Sequence, residues 1–534
     1  MTSTTFAPEN FTPDESAALS PYFSNINSPV FVIKNLPEVV KGALFARYSR
    51  SAKSVRRLFL DEFLDSVSRQ GTNENFVGTE RANRLYERVF HGYGDDSVAQ
   101  LGGAHIACEG VSNVLTKILE RGRLMSYLEQ STRYVPYTER PGGRWKYVVP
   151  REIVDTIVRT RYSTFLDQAF QTYKHWIEPM QEYYRSEHPN SRDDSDSVYR
   201  AAIRSKTLDT LRGLLPAATR SNVGIFGSGQ AFEALLIKMH SHPLKEAQDI
   251  AELMLAELRT TIPAFLTRVD LQDRGQKWGH YLLDCQNSTQ TLADQMFTDT
   301  TSSPELEVVL TEFDPEAEIK VVAAALYGSS NRSEMELLSI ARTMSTEERI
   351  RVLRAYVGDR TNRRYRPGRA FERTSYCFDI LSDYGAFRDL QRHRMLSLEW
   401  QSLSSRHGYT QPSAITAVGA TDDWDRVMAD AAALHALLTE RYGPAVAQYP
   451  ISMAYRIRFY MHMNAREAMH VIELRTAPQG HPAYRRVCQK MHKLIENQAG
   501  HKAIAAAMIF ADHSQVELER LDAERAKERK QSDN

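Results

Sequence analysis

Cysteine is scarce in this 534-residue chain. Its four residues, Cys108, Cys285, Cys377 and Cys488, lie far apart and form no Cys-x-x-Cys or Cys/His ligand spacing. That argues against a disulfide framework or a structural metal site and favours a reducing compartment. Long apolar runs are missing too: none approaches the ~18 residues that a bilayer span needs. The first residues, Met1-Thr-Ser-Thr-Thr-Phe, carry no basic segment followed by an apolar one. The expectation is a soluble, cytoplasmic chain with no membrane partner. Nor is there an excess of charge of one sign, since 67 Lys and Arg balance 67 Asp and Glu. No nucleic-acid partner is expected on that ground, and any anionic ligand must be met by local arginines.

What the chain has is a repeat. Arg121-Gly122-Arg123 is followed, after seven residues, by Ser131, and Arg392-His393-Arg394 is followed at the same distance by Ser402. A Gln precedes the Ser in both copies, Gln130 and Gln401. Self-similarity at this separation predicts two related domains in tandem. With 42% hydrophobic residues each half has enough apolar material for a core.

Helix and turn signals divide the chain. A polar leader covers 1–28, a first domain 29–270, a linker 271–303, a second domain 304–515 and a charged tail 516–534. Ser51 to Leu64 has helical apolar spacing, and a long helical pattern runs from about Arg151 to Glu187 before the loop that starts at His188-Pro189. The stretch from Asp270 to Pro304, rich in Asp, Gln, Thr and Ser, is the least patterned. In the second half, Leu306-Glu-Val-Val-Leu310 reads as a strand. Thr374 to Ile380 alternates apolar and polar residues as a half-buried strand does, with Ala104 to Val111 as its counterpart. Asp423 to Tyr442 reads as a helix stopped by Gly443-Pro444. The tail from Ala523 onward, charged throughout, is expected to fray.

The chemistry is expected on arginines. Arg392-His393-Arg394 could be a solvated helix end favoured by the helix dipole; alternatively, guanidinium forks clamp phosphates bidentately. Asn464 and Arg475 are eleven residues apart, close to three helical turns, so one helix would put both on one face. Arg466 could equally be a surface ion-pair residue. The basic stretch Arg360 to Arg369, with Tyr365 inside it, could be a solvated face, a phosphate-facing loop or a strip for single-stranded RNA. Cys108 and Cys377 read as inert buried thiols. Ser131 and Ser402 have no His/Asp relay in sequence and read as hydrogen-bonding residues.

Arg392-His393-Arg394-x7-Ser402 resembles the signature of the flavin-dependent thymidylate synthases. The first copy departs at Gly122, yet its Glu129-Gln130-Ser131-Thr-Arg133-Tyr134 is similar to the family pattern. In the second copy Trp400 stands where the family has Glu. The resemblance implies that Arg392, His393, Arg394, Asn464 and Arg466 bind FAD. It implies that Arg121, Arg123, Glu129, Gln130, Ser131, Arg133, Arg212, Gln401, Ser402 and Arg475 meet the nucleotide, with Arg475 activating the uracil. No side chain supplies a hydride, so a cofactor must. Methylenetetrahydrofolate as carbon donor and NADPH as reductant follow from the resemblance.

The two halves differ in a complementary way. Gly227-Ser228-Gly229-Gln230 and Lys238-Met239 lack the counterparts of Asn464, Arg466 and Arg475. Leu211-Arg212-Gly-Leu-Leu-Pro216 resembles the family's nucleotide-binding element, whereas the second half has Ala445-Val446 to Pro450 there, and Ser404 stands where the first half has Arg133. The expectation is therefore a composite site drawn from both halves, in a fold of class α+β. Each half would hold a mixed or antiparallel sheet flanked by long helices, the two related by pseudo-two-fold symmetry, with a homodimer forming a pseudo-tetramer. Methylation of another uracil nucleotide such as UMP, or a non-catalytic flavin- or nucleotide-binding paralogue, are the alternatives.

Overall fold

The computed structural model describes residues 9–48, 51, 53–64, 100–191, 194–297 and 306–532. Residues 1–8 of the expected leader and 298–303 of the expected linker lie outside them. The fold is α+β with two small sheets, one of three strands and one of four. The chain gathers into two compact units: Met1–Glu109 with Leu124–Glu129 and Asn222–Asp299, and Gly110–Arg123 with Gln130–Ser221 and Thr300–Asn534. The second unit thus contains segments of both sequence halves.

The order of elements repeats. The first copy runs β1 (Gly103–Ser112), α1 (Asn113–Leu119), β2 (Met125–Glu129), the helices α2 (Thr156–His175), α3 (Ile177–Glu187) and α4 (Asp196–Leu211), then β3 (Arg220–Ser228), α5 (Gly229–His240) and α6 (Lys245–Thr261). After α7 (Lys277–Met296) and the added strand β4 (Val308–Phe313), the second copy runs β5 (Ser375–Asp383), α8 (Tyr384–Leu390), β6 (Ser397–Trp400), α9 (Thr421–Ala447), β7 (Arg456–Asn464), α10 (Ala465–Arg475) and α11 (Pro482–Asn497). Strand order repeats as well, β1-β3-β2 in one sheet and β4-β5-β7-β6 in the other. At four junctions the last strand residue caps the following helix: Ser112, Ser228, Asp383 and Asn464 each accept from a backbone N–H of the first turn.

Period-two burial makes these strands. Tyr376, Phe378 and Ile380 of β5 and Ile457, Phe459, Met461 and Met463 of β7 are buried, and the two strands pair antiparallel from Ser375↔Asn464 to Asp383↔Arg456. The expected strand at 306–310 forms two residues later, at Val308–Phe313. The helix α9 breaks at Gly443, whose φ of 82° and ψ of 168° leave the helical region just before Pro444.

Three expectations are corrected. The helical run from 151 to 187 is two helices divided at Trp176, because Pro179 in the first turn of α3 has no N–H to continue the ladder. Most of the segment expected as an unpatterned linker is the 20-residue helix α7, whose residues are nearly all exposed, so its polar composition reflects solvent rather than lack of structure. The charged tail is also helical, α12 (Leu521–Ser532), and Arg525 pairs with both carboxylate oxygens of Asp194 at 2.5 and 2.8 Å.

Inside the second unit, equivalent segments of the two halves pair with each other. Pro216 and Ser452 form an antiparallel bridge, and each lies twelve residues before its capping residue, Ser228 or Asn464. Ala217 N–H donates to Ile451 O at 2.8 Å, and the counterpart Met453 N–H donates to Leu215 O at 2.9 Å. Ala218 N–H donates to Tyr449 O at 2.8 Å, and Ala454 N–H returns the bond to Gly213 O at 3.1 Å. The close approach needs Gly213, where a Cβ would lie 2.5 Å from the Trp424 ring.

Candidate functional site

The site is built where α8 ends. Asp383 caps this helix through Ala386 N–H at 2.9 Å, and the chain leaves it through Gln391 into Arg392-His393-Arg394. Gln391 is buried and donates to Lys117 O and Glu120 O at 3.2 and 3.3 Å, which fixes the exit against the end of α1. The side chain of Asp389, one turn back, is nearly enclosed. Its carboxylate pairs with Arg392 and lies 3.7 Å from Arg475 Nη1 and 3.8 Å from Arg212 Nη1. Its carbonyl accepts from Arg475 Nη2 at 2.5 Å. Burial opposes the charge on Asp389, but Arg392, Arg475, Arg212 and Arg133 override it and hold the carboxyl well below the usual carboxylate range.

Arg475, the last residue of α10, also donates from Nε to His393 Nε2 at 2.9 Å. An accepting Nε2 assigns the proton to Nδ1, which faces Glu467 Oε1 at 3.7 Å. Burial, then Arg475, His470 and Arg392, push His393 well below its ordinary pKa, so the ring is neutral at physiological pH. Glu467 is pushed up to about 7 by burial despite Arg366, Arg466 and Arg394. His470, one helical turn on, is pushed down to about 4 by burial and then by Arg366, Arg363 and Arg475.

Two arginines of the first sequence half reach the same place. Arg212 is buried at the end of α4; its Nη2 has no hydrogen-bond partner among the described residues, and it packs so tightly that a Cβ on Gly385 would lie 3.0 Å from Nε and Nη2. Arg133 donates from Nε to both Asp209 oxygens at 2.7 and 2.9 Å and from Nη1 to Tyr484 Oη at 3.2 Å. The Tyr484 ring in turn lies 5.4 Å from the Arg475 guanidinium. His481, the cap of α11, donates toward Asp209 O at 3.3 Å.

The remaining expected residues are spread more widely. Asn464 is spent on capping α10, accepting from Glu467 N–H at 2.9 Å. Arg466 donates to Pro367 O at 2.9 Å and to Glu372 at 3.2 Å, while Arg394 is exposed. Arg121 pairs with Glu399 and stacks on Trp400, with its guanidinium 4.9 Å from the ring, and Arg123 donates to Ser397 Oγ at 3.0 Å. Ser131 Oγ accepts from Arg133 N–H at 3.2 Å. Gln130 is half-buried, and Gln401 and Ser402 are exposed beyond β6. Glu129 ends β2 in the first unit, opposite Val223. Cys108 is buried and its thiol is pushed up to about 11, as expected of an inert thiol. Cys377, expected to be buried as well, is only half-buried, because it alternates with Tyr376 and Phe378 onto the other face of β5. The buried thiol not foreseen is Cys488, pushed up to about 12.

The basic stretch at 360–369 is anchored by the buried Arg360, while Arg364, Tyr365, Arg366 and Arg369 are exposed, as a solvated face is expected to be. Arg360 is buried and forks onto Glu473 at 2.7 and 2.6 Å, Arg366 contacts His470 at 3.1 Å, and Arg369 pairs with Glu372. Through Arg360 and Arg366 it contacts Glu473 and His470 of α10.

Sequence reasoning missed Asp209, Asp389, Glu467, His470, His481 and Tyr484. A signal for the first two was present: Asp209 precedes Arg212, and Asp389 precedes Arg392, by one helical turn. His393, Glu467 and His470 bring ligand atoms within 4.8 Å of one another, a spacing that could hold a metal ion. The guanidinium groups of Arg366, Arg466, Arg394 and Arg475 around them oppose a divalent cation and favour an anion.

A family model described as thymidylate synthase complementing protein matches residues 42–264 and again 308–499. The chain belongs to that family. The two matches make it a tandem protein of two family segments. Along nearly its whole length it is similar to UPF0159 proteins. That of Chlamydia muridarum is 35% identical over 521 residues, covering 96% of this chain and 98% of the relative. That of Chlamydia pneumoniae is 36% identical, covering 97% and 98%. A flavin-dependent thymidylate synthase of Clostridium tetani is 26% identical over 148 residues, 28% of this chain and 53% of that protein. A solved UMP/dUMP methylase of Streptomyces cacaoi bound with 5-bromo-dUMP is similar at 19% identity and TM-score 0.30, over 37% of this chain and 94% of that one. Among the described residues, no helix is long and apolar enough to cross a membrane.

Proposed function

We propose that this tandem family member is a flavin-dependent thymidylate synthase that methylates C5 of dUMP to give dTMP, at a site assembled from both sequence halves. The observation that carries this is the convergence of Arg392 and Arg475 from one half with Arg212 from the other on the single carboxylate of Asp389. Membership of the family and the printed activity of the Clostridium tetani relative support it.

The donor set fits a flavin dinucleotide and a nucleotide monophosphate. Guanidinium groups suit phosphates, and the buried Arg212 Nη2 is a donor in need of an acceptor. FAD is assigned to Arg392, His393, Arg394, Asn464 and Arg466. The nucleotide is assigned to Arg212, Arg133, Ser131, Glu129, Gln130 and Arg475, with Arg121, Arg123, Gln401 and Ser402 at its margin. When bound, reduced FAD supplies the hydride, with NADPH and methylenetetrahydrofolate as cosubstrates.

The chain's own groups orient and polarise. Neutral His393 holds Arg475 Nε, and the Asp389 carbonyl holds one Nη2 hydrogen, so the remaining Nη hydrogens are aimed rather than free to rotate. Arg475 then stabilises charge that develops on the uracil carbonyls. The self-pairing of Pro216 with Ser452, each in the same place of its half, supports a pseudo-two-fold relation of the halves. With domains at 29–270 and 304–515, a homodimer would present four family segments, as a pseudo-tetramer in the cytoplasm.

The test is to record the visible spectrum of the purified protein and then tritium release from C5-labelled dUMP with methylenetetrahydrofolate and NADPH. A flavin band with release supports the proposal. Release from labelled UMP instead transfers it to that nucleotide, and a protein with neither flavin nor release contradicts it.

A further inference from the structure

We propose that Asp389 is the positioning residue that sets the guanidinium of Arg475 and couples it to Arg212. This rests on the proposed function above. Asp389 touches Arg475 twice, through its carboxylate at 3.7 Å and its carbonyl at 2.5 Å, and reaches Arg212 at 3.8 Å from the opposite carboxylate oxygen. One carboxylate among three guanidinium groups leaves the cluster cationic overall, which suits an anionic nucleotide while preventing the guanidiniums from repelling each other apart.

The first half lacks this device. Counted from the caps Ser112 and Asp383, the residue in the place of Asp389 is Ile118. Without a carboxylate there, Arg121 turns outward to Glu399, and both side chains of that pair are about half exposed. The contrast is internal to one chain: the first Arg of the signature, Arg392, is half-buried against Asp389 where an Asp lies one turn before it, while its counterpart Arg121 is more exposed where an Ile does. Gly385 leaves room for the arrangement, because a Cβ there would crowd Arg212 Nε and Nη2 and Asp383 Oδ1, each at 3.0 Å.

The full-length protein carrying Asp389→Asn, and a second form carrying Asp389→Glu, test this. Three readouts are compared with wild type: kcat and KM for dUMP, dUMP affinity by calorimetry, and the rate at which an arginine-selective dicarbonyl modifies Arg475, followed by peptide mass. The modification rate needs neither flavin nor turnover. Asp389→Asn is expected to lower kcat roughly 100-fold, as a misplaced catalytic group does, with KM and dUMP affinity within about threefold and Arg475 modified several-fold faster. Asp389→Glu is expected to recover about tenfold of the lost kcat and to slow the modification again. If Asp389→Asn does not fold, Asp389→Glu carries the test, with kcat at least about tenfold below wild type. An Arg475 modified at the wild-type rate with kcat within threefold in either folded variant overturns the inference. A wild type without flavin or turnover sinks the proposed function instead, and the modification rates still decide the role of Asp389.

Discussion

Arg475 Nε donates to His393 Nε2 at 2.9 Å, and only a neutral imidazole can accept that bond. The pair therefore ties acid stability to the site. His393, His481 and His470 all have folded pKa values below their ordinary value, the last at about 4. The unfolded chain takes up those protons first, so the stability they contribute is complete above about 6.5 and is lost as pH falls below it. Glu467 acts oppositely, since its folded value near 7 makes folding easier at pH 5 than at pH 8, and the buried Glu519 and Asp383 are raised in the same direction. His435, His501 and His513 are lowered as well, however, so six histidines stand against three carboxyls. Thermal unfolding at pH 7.5, 6.5 and 5.5 should show falling Tm, with a shallower slope in His393→Asn. A Tm that rises toward pH 5.5 would contradict the account.

Arg475→Lys removes the fork but keeps the charge. Lys has no Nε–H to give His393 and no planar pair for a uracil carbonyl. The expected result is kcat lower by roughly 100-fold with the flavin band retained, measured by tritium release and absorbance. An Arg475→Lys enzyme within threefold of wild type would remove Arg475 from the chemistry.

Gly385→Ala is a small change at a crowded place. Its Cβ would meet Arg212 Nε and Nη2 at 3.0 Å, closer than ordinary contact. Arg212 must shift, so KM for the nucleotide should rise about tenfold while flavin content holds. Unchanged KM would mean that Arg212 does not face the nucleotide.

Arg360→Ala separates the structural reading of the basic stretch from an RNA-binding one. Removing one partner of the enclosed Arg360–Glu473 pair leaves a buried carboxylate and should cost about 3–5 kcal/mol, visible as a large drop in Tm. Affinity for a single-stranded RNA probe should be absent in wild type and unchanged in the variant. A stable variant that loses RNA binding would restore the alternative.

Much of the scaffold was legible in sequence, because β5, β7 and the α9 stop depend on local signals: period-two burial and a glycine before proline. The fixed spacing to Ser402 picked out Arg392, which lies in the cluster around Asp389, whereas Arg212 and Arg475 were pointed to only by the family resemblance. Their partners were not legible. Beyond the one-turn spacing of Asp209 to Arg212 and of Asp389 to Arg392, the partners that bring Asp209, Asp389 and Tyr484 into the site lie more than seventy positions away, Arg133 for Asp209 and Tyr484 and Arg475 for Asp389. A buried charge looks like a surface one until its partner arrives. The helix α7 escaped notice for the opposite reason, since a helix exposed on nearly all sides carries no apolar period.

The most direct measurement is tritium release from C5-labelled dUMP by wild type and by Arg212→Ala, each with its flavin absorbance recorded. The account predicts release by wild type, together with an Arg212→Ala protein that keeps its flavin but needs at least about tenfold more dUMP, because a first-half arginine serves a second-half flavin clamp. Flavin-dependent release that is indifferent to Arg212 would contradict the composite site, and no release from wild type would contradict the function itself.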